Sequence, residues 1–574
     1  MLDSTITEKY EKWLTSEKTD KETKAELKAI AGRDDEIASR FKEKLEFGTA
    51  GIRGIMEAGE SKINVYTIAR ATQALAAYIN RNGGGAVAIA YDTRINSELF
   101  ARKSAQVLAS NGIKAYLFKE PCPTPELSFA LRYLKCVAGI NITASHNPKQ
   151  YNGYKVYWSD GAQIGPEQAE AIAEIIDGID IFDGVMADGF DSLLSDGRIE
   201  YIGDDVTDEY LKCVLAQVVN KNAIPSQPDM AVVYTPLHGT GRVLVPRALE
   251  MAGLKKLITV PEQMIPDGSF PTVKYPNPEF PEAFALGIEL AKANHSELII
   301  ATDPDADRMG VMVLTGDGSF TGLTGNQMGA LLLDYIITAY KNGDGLPEDS
   351  YAVKSIVSTE LASEICRRNN VRMFEVLTGF KFIGEVIKKH EEEGRGTYLL
   401  GFEESYGYLK GTYARDKDAV VAAVLVCEMA AYYRGKGMTL YDAVRELYKK
   451  YGYYTEKTLN IEVAGLDGHE KIRNTIDALR RNAPSEIGGV KVSAVRDYKT
   501  GKRKDFVTGI EEDTGLPESD VLYYELSGSA IIVRPSGTEP KIKIYVMAKA
   551  DSMAEASEKE KRFEDSIRSI INLK

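Results

Sequence analysis

The chain has 574 residues, 44% of them hydrophobic and 27% charged, and a formal net charge of −14. That length exceeds a single hydrophobic core and implies roughly three to five domains of ordinary soluble composition. The acidic balance argues against a nonspecific nucleic-acid or membrane-surface binder, so a site for an anionic ligand has to gather its own positive charge.

The first 45 residues are charged and carry helical spacing, with Tyr10, Trp13 and Leu14 on one side, which predicts a helical N-terminal extension. The segment MLDSTITEKYEKW lacks the apolar core of a signal peptide, and no apolar run reaches 18 residues. The five cysteines, Cys122, Cys136, Cys213, Cys366 and Cys427, are scattered and form no CxxC pair. They read as reduced thiols, and the protein is expected in the cytoplasm with no membrane partner.

Beyond the extension, short apolar strands alternate with amphipathic helices, the pattern of α/β folds with crossover connections. One plan recurs three times. Residues Ala86–Phe118 run strand, loop, helix, strand, and Ala231–Val260 and Tyr351–Val376 repeat that order. Helical patterns precede two of the copies, over Val65–Ile79 and Asn326–Ile337. The recurrence predicts three related domains. From about residue 456 the order changes to strand, helix, several strands and a final helix after Ser552, which predicts a smaller α+β domain. The expected divisions are 1–205, 206–322, 323–455 and 456–574.

Four polar loops follow strand ends, where open α/β sheets bind ligands. In Thr143-Ala144-Ser145-His146-Asn147-Pro148 small residues allow a tight turn that presents Ser145, a candidate covalent phosphate carrier, with Lys155 ten residues on. A serine hydroxyl needs a base, a metal or a preset charge environment to act as a nucleophile. Without those it is an ordinary polar turn. In Asp303-Pro304-Asp305-Ala306-Asp307-Arg308 three carboxylates at alternate positions suit a hard cation such as Mg²⁺. An EF-hand is excluded because Arg308 and Leu314 stand where its glycine and glutamate belong. Gly401-Phe402-Glu403-Glu404-Ser405-Tyr406-Gly407 offers adjacent carboxylates to vicinal hydroxyls. Arg534-Pro535-Ser536-Gly537-Thr538-Glu539-Pro540-Lys541 combines an arginine, two hydroxyls and a glycine as an anion cradle. Two further segments are glycine-punctuated and cationic, Phe47–Gly54 with Arg53 and Leu377–Phe382 with Lys381. His238, in a loop of its own, has no assigned role.

TASHNP, DPDADR, GFEESYG and RPSGTEPK, in this order and at these separations, resemble the α-D-phosphohexomutase superfamily, from about Glu46 to the C-terminus. GFEESYG, TGFKFIG and the chain length are most similar to its phosphoglucomutase branch, of the longer phosphoglucomutase/phosphopentomutase type. The resemblance implies four domains around a central cleft, three related α/β units and a C-terminal α+β unit. It implies a phosphoserine at Ser145, Mg²⁺ on Asp303, Asp305, Asp307 and a Ser145 phosphoryl oxygen, and sugar hydroxyls on Glu403 and Ser405. It places the non-transferring phosphate on Arg534, Ser536, Gly537 and Thr538, and Arg53, His146, Lys155, Arg308 and Lys381 around the reacting end. One departure is Ala50-Gly51, where the family often has Ser-Gly before the arginine.

The implied activity is interconversion of glucose 1-phosphate and glucose 6-phosphate, with glucose 1,6-bisphosphate as intermediate and activator. The implied partners are small sugar phosphates, with no nucleic acid, in a monomer or weak dimer. A pentose or mannose phosphate substrate, a glucose 1,6-bisphosphate synthase and a non-catalytic sugar-phosphate sensor are the alternatives. Lys155, Lys381 and His146 are open candidates for general acid and base.

Overall fold

A computed structural model describes residues 3–49, 51–463, 468–536 and 541–571. The chain divides into two compact units. The first comprises Met1–Leu323, Ile387–Glu392 and Gly407–Lys436, and the second Thr324–Val386, Glu393–Tyr406 and Gly437–Lys574.

The N-terminal extension of the first unit is three helices, Ser4–Thr15, Lys21–Ala29 and Asp34–Phe41. Asp3 and Asp20 cap the first two through their carboxylates. They close on Trp13, which is fully buried and meets Phe41, Tyr66 and Phe182 edge-on at 5.9, 5.1 and 5.4 Å.

The first sheet has the order β1-β5-β4-β2-β3-β6, from β1 (Ile52–Ile55), β2 (Ala86–Tyr91), β3 (Lys114–Leu117), β4 (Ala138–Ile142), β5 (Tyr151–Trp158) and β6 (Ile199–Tyr201). β2 is parallel to β3 and β4, whereas β4 and β5 are antiparallel. The apolar run of β2 has no polar alternation because helices cover both faces of such a sheet. The helix Val65–Arg81 starts at a capping box on Asn64 and buries Ile68, Ala71, Leu75 and Ile79, the spacing of one helical face.

The second sheet has the order β11-β10-β9-β7-β8, from β7 (Ala231–Thr235), β8 (Lys256–Thr259), β9 (Leu298–Thr302), β10 (Met309–Leu314) and β11 (Phe320–Leu323). In the second unit β12 (Ser350–Ser355) lies parallel between β13 (Arg372–Val376) and β14 (Thr397–Glu403). The same arrangement therefore occurs three times: a central strand, its successor on one side and the third strand on the other. These are the three repeats expected from the sequence.

The C-terminal seven-stranded sheet is antiparallel at every pair described and runs from Tyr453–Glu462 at one edge to Glu511–Asp513 at the other. The helices Gly468–Arg481 and Met553–Ile571 pack on it. Within this unit Ile356, Val357 and Leu377 share a core with Tyr523, Ile532 and Tyr545. Among the described residues no helix is long and apolar enough to cross a membrane.

Candidate active site

Three of the polar loops singled out in the sequence follow the third strand of each repeat, after β4, β9 and β14. Each holds one non-glycine residue in the left-handed region: Ser145 at φ 51, Ala306 at φ 50 and Tyr406 at φ 67. That conformation crowds Cβ against the backbone for any L-residue, so neighbours have to hold it.

Ser145 is 3% exposed. Its N–H donates to Thr143 Oγ1 at 2.8 Å, and its hydroxyl donates to Asp303 Oδ2 at 2.6 Å and lies 3.1 Å from His146 Nδ1. Desolvation, with the cations of Arg308, Arg53 and Arg94 nearby, holds the His146 imidazole well below its ordinary value and thus neutral. Arg53, on β1, donates to Asn147 Oδ1 at 3.0 Å. The turn before it needs Gly51, at φ 74, because a Cβ there would stand 1.9 Å from the Tyr154 carbonyl oxygen.

The three aspartates are buried, with one oxygen of each within 4.8 Å of the others. Asp303 Oδ1 accepts the N–H groups of Asp307 and Arg308 at 3.1 and 3.0 Å. Asp305 Oδ2 accepts from Thr124 and Lys155, both at 2.9 Å. Lys155 comes from β5, opposite Asn141 of β4. Its Nζ lies 3.7 Å from Asp307 Oδ2, and Lys417 Nζ lies 3.2 Å from the same oxygen. Arg308 turns to Glu279 at 2.9 Å. Burial, then Asp305 and Asp307, pushes Asp303 well above the carboxylate range. Asp305 Oδ1 and Asp307 Oδ1 are buried with no hydrogen-bond donor among the described residues. Convergent carboxylates with unsatisfied oxygens fit a hard divalent cation such as Mg²⁺.

In the second unit Glu403 Oε1 accepts the Gly379 N–H at 2.7 Å, which fixes it beside the turn leading to Lys381. Burial, with Glu385 opposing it, lowers the Lys381 ammonium, whose Nζ lies 5.0 Å from the Phe382 ring centre. Glu404 is pushed up to about 7 by burial and then by Glu403, and its Oε2 accepts the Ser355 hydroxyl at 3.1 Å. Ser405 follows in the same loop, half-buried. Arg534 is paired with Lys543 across the C-terminal sheet and hydrogen-bonds the buried Tyr545 phenol. The Ser536 N–H donates to the Lys541 carbonyl at 2.8 Å. Gly537 and Thr538 lie outside the described residues.

Sequence reasoning missed Lys417, Asp416 and Thr124. Asp416 binds Lys417 at 2.8 Å and the Tyr157 phenol at 2.8 Å, so it aims the lysine. The one available signal was the charge alternation Arg415-Asp416-Lys417-Asp418 before an apolar helix. His238 is structural: its ring nitrogens meet Ile265 O at 2.9 Å and Thr272 Oγ1 at 2.8 Å.

A buried serine hydroxyl on a carboxylate cluster, ringed by lysine and arginine, has the chemical make-up that phosphoryl transfer uses. Comparison with known proteins identifies the family. The phosphoglucomutase/phosphomannomutase family models for alpha/beta/alpha domains I, II and III match residues 44–181, 208–316 and 324–451, and that for the C-terminal domain matches 490–565. A phosphoglucomutase of Staphylococcus saprophyticus is 38% identical over 92% of this chain and 94% of its own. Pp63/parafusin, a phosphoglucomutase from Paramecium solved in an open form, superposes with a TM-score of 0.67 at 18% identity, over 92% of this chain and 95% of that one. An N-acetylphosphoglucosamine mutase of Aspergillus fumigatus, solved with GlcNAc-6P and magnesium, gives a TM-score of 0.51 at 13% identity over 99% of both chains. A variant of that enzyme was solved with glucose 1,6-bisphosphate.

The chain belongs to the phosphoglucomutase/phosphomannomutase family, within the α-D-phosphohexomutases. It is by class an isomerase of the phosphotransferase type.

Proposed function

We propose that the chain is a phosphoglucomutase that works through phosphorylated Ser145 and a glucose 1,6-bisphosphate intermediate. The observation that carries this reading is the 2.6 Å contact between the Ser145 hydroxyl and Asp303 of the buried triad. It stands in a chain 38% identical to a phosphoglucomutase over 92% of its length.

The free hydroxyl of the sugar phosphate attacks the phosphorus on Ser145. The new P–O bond forms, the Oγ–P bond breaks, and the proton lost by the sugar hydroxyl is balanced by the one gained at Oγ. The bisphosphate then presents its other phosphate, and the same step in reverse recharges Ser145. In this reading His146, neutral and 3.1 Å from Oγ, passes the proton. Lys155 and Lys417 hold positive charge on the carboxylates facing the serine. Arg53 and Arg308 add cations at the same end. Magnesium on Asp303, Asp305, Asp307 and an oxygen of phosphorylated Ser145 would supply neutralisation of phosphoryl charge.

In the second unit Glu403 and Ser405 bind sugar hydroxyls, and Lys381 serves the same substrate. Arg534, Ser536, Gly537 and Thr538 grip the phosphate that is not being transferred. Distal binding of this kind orients the substrate in both poses. The domain divisions implied are 1–205, 206–322, 323–455 and 456–574.

The test is intact-mass analysis before and after glucose 1,6-bisphosphate, with the gain of one phosphate mapped to Ser145. Ser145→Ala is expected to lose roughly 10⁴-fold or more of turnover. Undiminished turnover with no phosphoserine would refute the mechanism. Relative kcat/KM on glucose, mannose and ribose 1-phosphates tests the sugar, with glucose expected highest.

A further inference from the structure

In each repeat the loop after the first strand braces the loop after the third. After β7, the Thr240 N–H donates to the Pro304 carbonyl at 2.8 Å. After β12, Ser358 Oγ accepts the Glu404 N–H at 3.1 Å. After β2, the brace is a charged side chain. The Arg94 guanidinium donates from Nη1 to the carbonyls of Pro148 at 2.9 Å and Tyr151 at 3.1 Å, and from Nη2 to those of Ser145 and Asn147. Four of its five N–H groups are thus spent on the backbone of one loop. The fifth, at Nε, faces Asp92 Oδ2 at 3.2 Å, and both side chains are completely buried. Asp92 Oδ1 accepts the Arg94 N–H at 2.9 Å and the Ser97 hydroxyl at 2.7 Å, and Ser97 Oγ accepts from Asn152 at 3.0 Å. The Phe270 ring closes over the guanidinium at 5.0 Å.

We propose that Arg94, aimed by Asp92, is the positioning residue for Ser145. It holds the serine in its left-handed conformation so that the hydroxyl faces Asp303 and His146 before and after each transfer. The inference rests on the phosphoserine reading above. Serine gains nothing by itself from φ 51. With its carbonyl tied to Arg94 and its hydroxyl bonded to Asp303, the residue is fixed from both ends. A planar fork can reach four carbonyls at once, and an ammonium cannot. A charge buried beside its counter-ion and bonded only to backbone holds geometry and does not bind a ligand.

The test compares Arg94→Lys, Arg94→Gln and Asp92→Asn with wild type, with Ser145→Ala in parallel. Both Arg94 variants are expected to lose about 10² in kcat. KM for glucose 1-phosphate should stay within about threefold. Phosphorylation of Ser145 by glucose 1,6-bisphosphate should slow by the same factor as kcat. Hydrogen exchange should quicken over residues 143–151 and not elsewhere in the first unit. Asp92→Asn, which keeps the four carbonyl bonds, is expected to lose about tenfold. Any of three results would overturn the proposal: near-wild-type kcat in Arg94→Gln, full restoration by lysine (which would make the role one of charge), or loss of fold in all three variants. An active Ser145→Ala would instead sink the phosphoserine reading itself.

Discussion

The loop after β4 and the loop after β14 occupy the same place in two copies of one topology, and both turn on a left-handed residue, Ser145 and Tyr406. Their surroundings differ. The first is set among acidic and basic side chains that bind one another: Ser145 on Asp303, Lys155 on Asp305, Lys417 on Asp307. The second is held by hydroxyls and backbone, with Ser355 and Ser358 on Glu404 and Gly379 on Glu403. The repeat decides where a loop projects, and the side chains delivered by neighbouring elements decide what it can do. In the proposed mechanism the dense charge of the first loop serves bond making, where field and geometry act on the transition state, and the looser second loop serves recognition.

That contrast predicts rate effects in the first unit and affinity effects in the second. The largest test is Asp305→Asn. It should lower kcat by about 10³-fold with little change in KM, and calorimetry should show magnesium binding lost. Added magnesium should raise the Tm of wild type and leave the variant's unmoved.

Next is Gly51→Ala, whose Cβ would meet the Tyr154 carbonyl oxygen at 1.9 Å. Urea unfolding should show a loss of about 3 kcal/mol. Gly379→Ala in the second unit, where the nearest atoms are Phe382 carbons at 3.8 Å, should cost about 1 kcal/mol, from backbone strain alone. Equal losses would break the contrast in rigidity.

Glu403→Gln should raise KM about tenfold and spare kcat, as expected when a charged acceptor for sugar hydroxyls is lost. The reverse split in steady-state kinetics would place recognition and chemistry in the same loop.

A further effect is one of pH. Glu404 is raised from 4.5 to about 7 in the folded chain. Between those values the folded state holds the extra proton, so its contribution to stability declines as pH rises from about 4.5 through about 7 and is level above that. Glu404→Gln should remove about 2 kcal/mol of that decline, measured by denaturant unfolding at pH 5 and pH 8. An unchanged slope would show that Glu404 is not the buried proton holder.

Much of this was legible in the chain. The three repeats were visible as apolar runs at matching separations. Asp303, Asp305 and Asp307 were visible because local alternation around one proline brings them together without help from elsewhere. Ser145 was visible as a small-residue turn at a strand end. Lys417 was not, since its partner Asp307 is distant in sequence and a lysine between two aspartates reads as a solvated charge run. Arg94 was not, because an arginine after a strand carries no local sign that its fork will end on four carbonyls of another loop.

The sequence by itself therefore determined the family, the order of the loops and the candidate residues they carry, because those depend on local pattern and turn chemistry. Only the tertiary structure decided which cation answers which carboxylate, why Ser145 can stand in a conformation it disfavours, and that one buried oxygen each of Asp305 and Asp307 has no hydrogen-bond donor among the described residues. Those properties come from burial and from contacts between distant segments, which raise the cost of an unpaired group far above its cost in water.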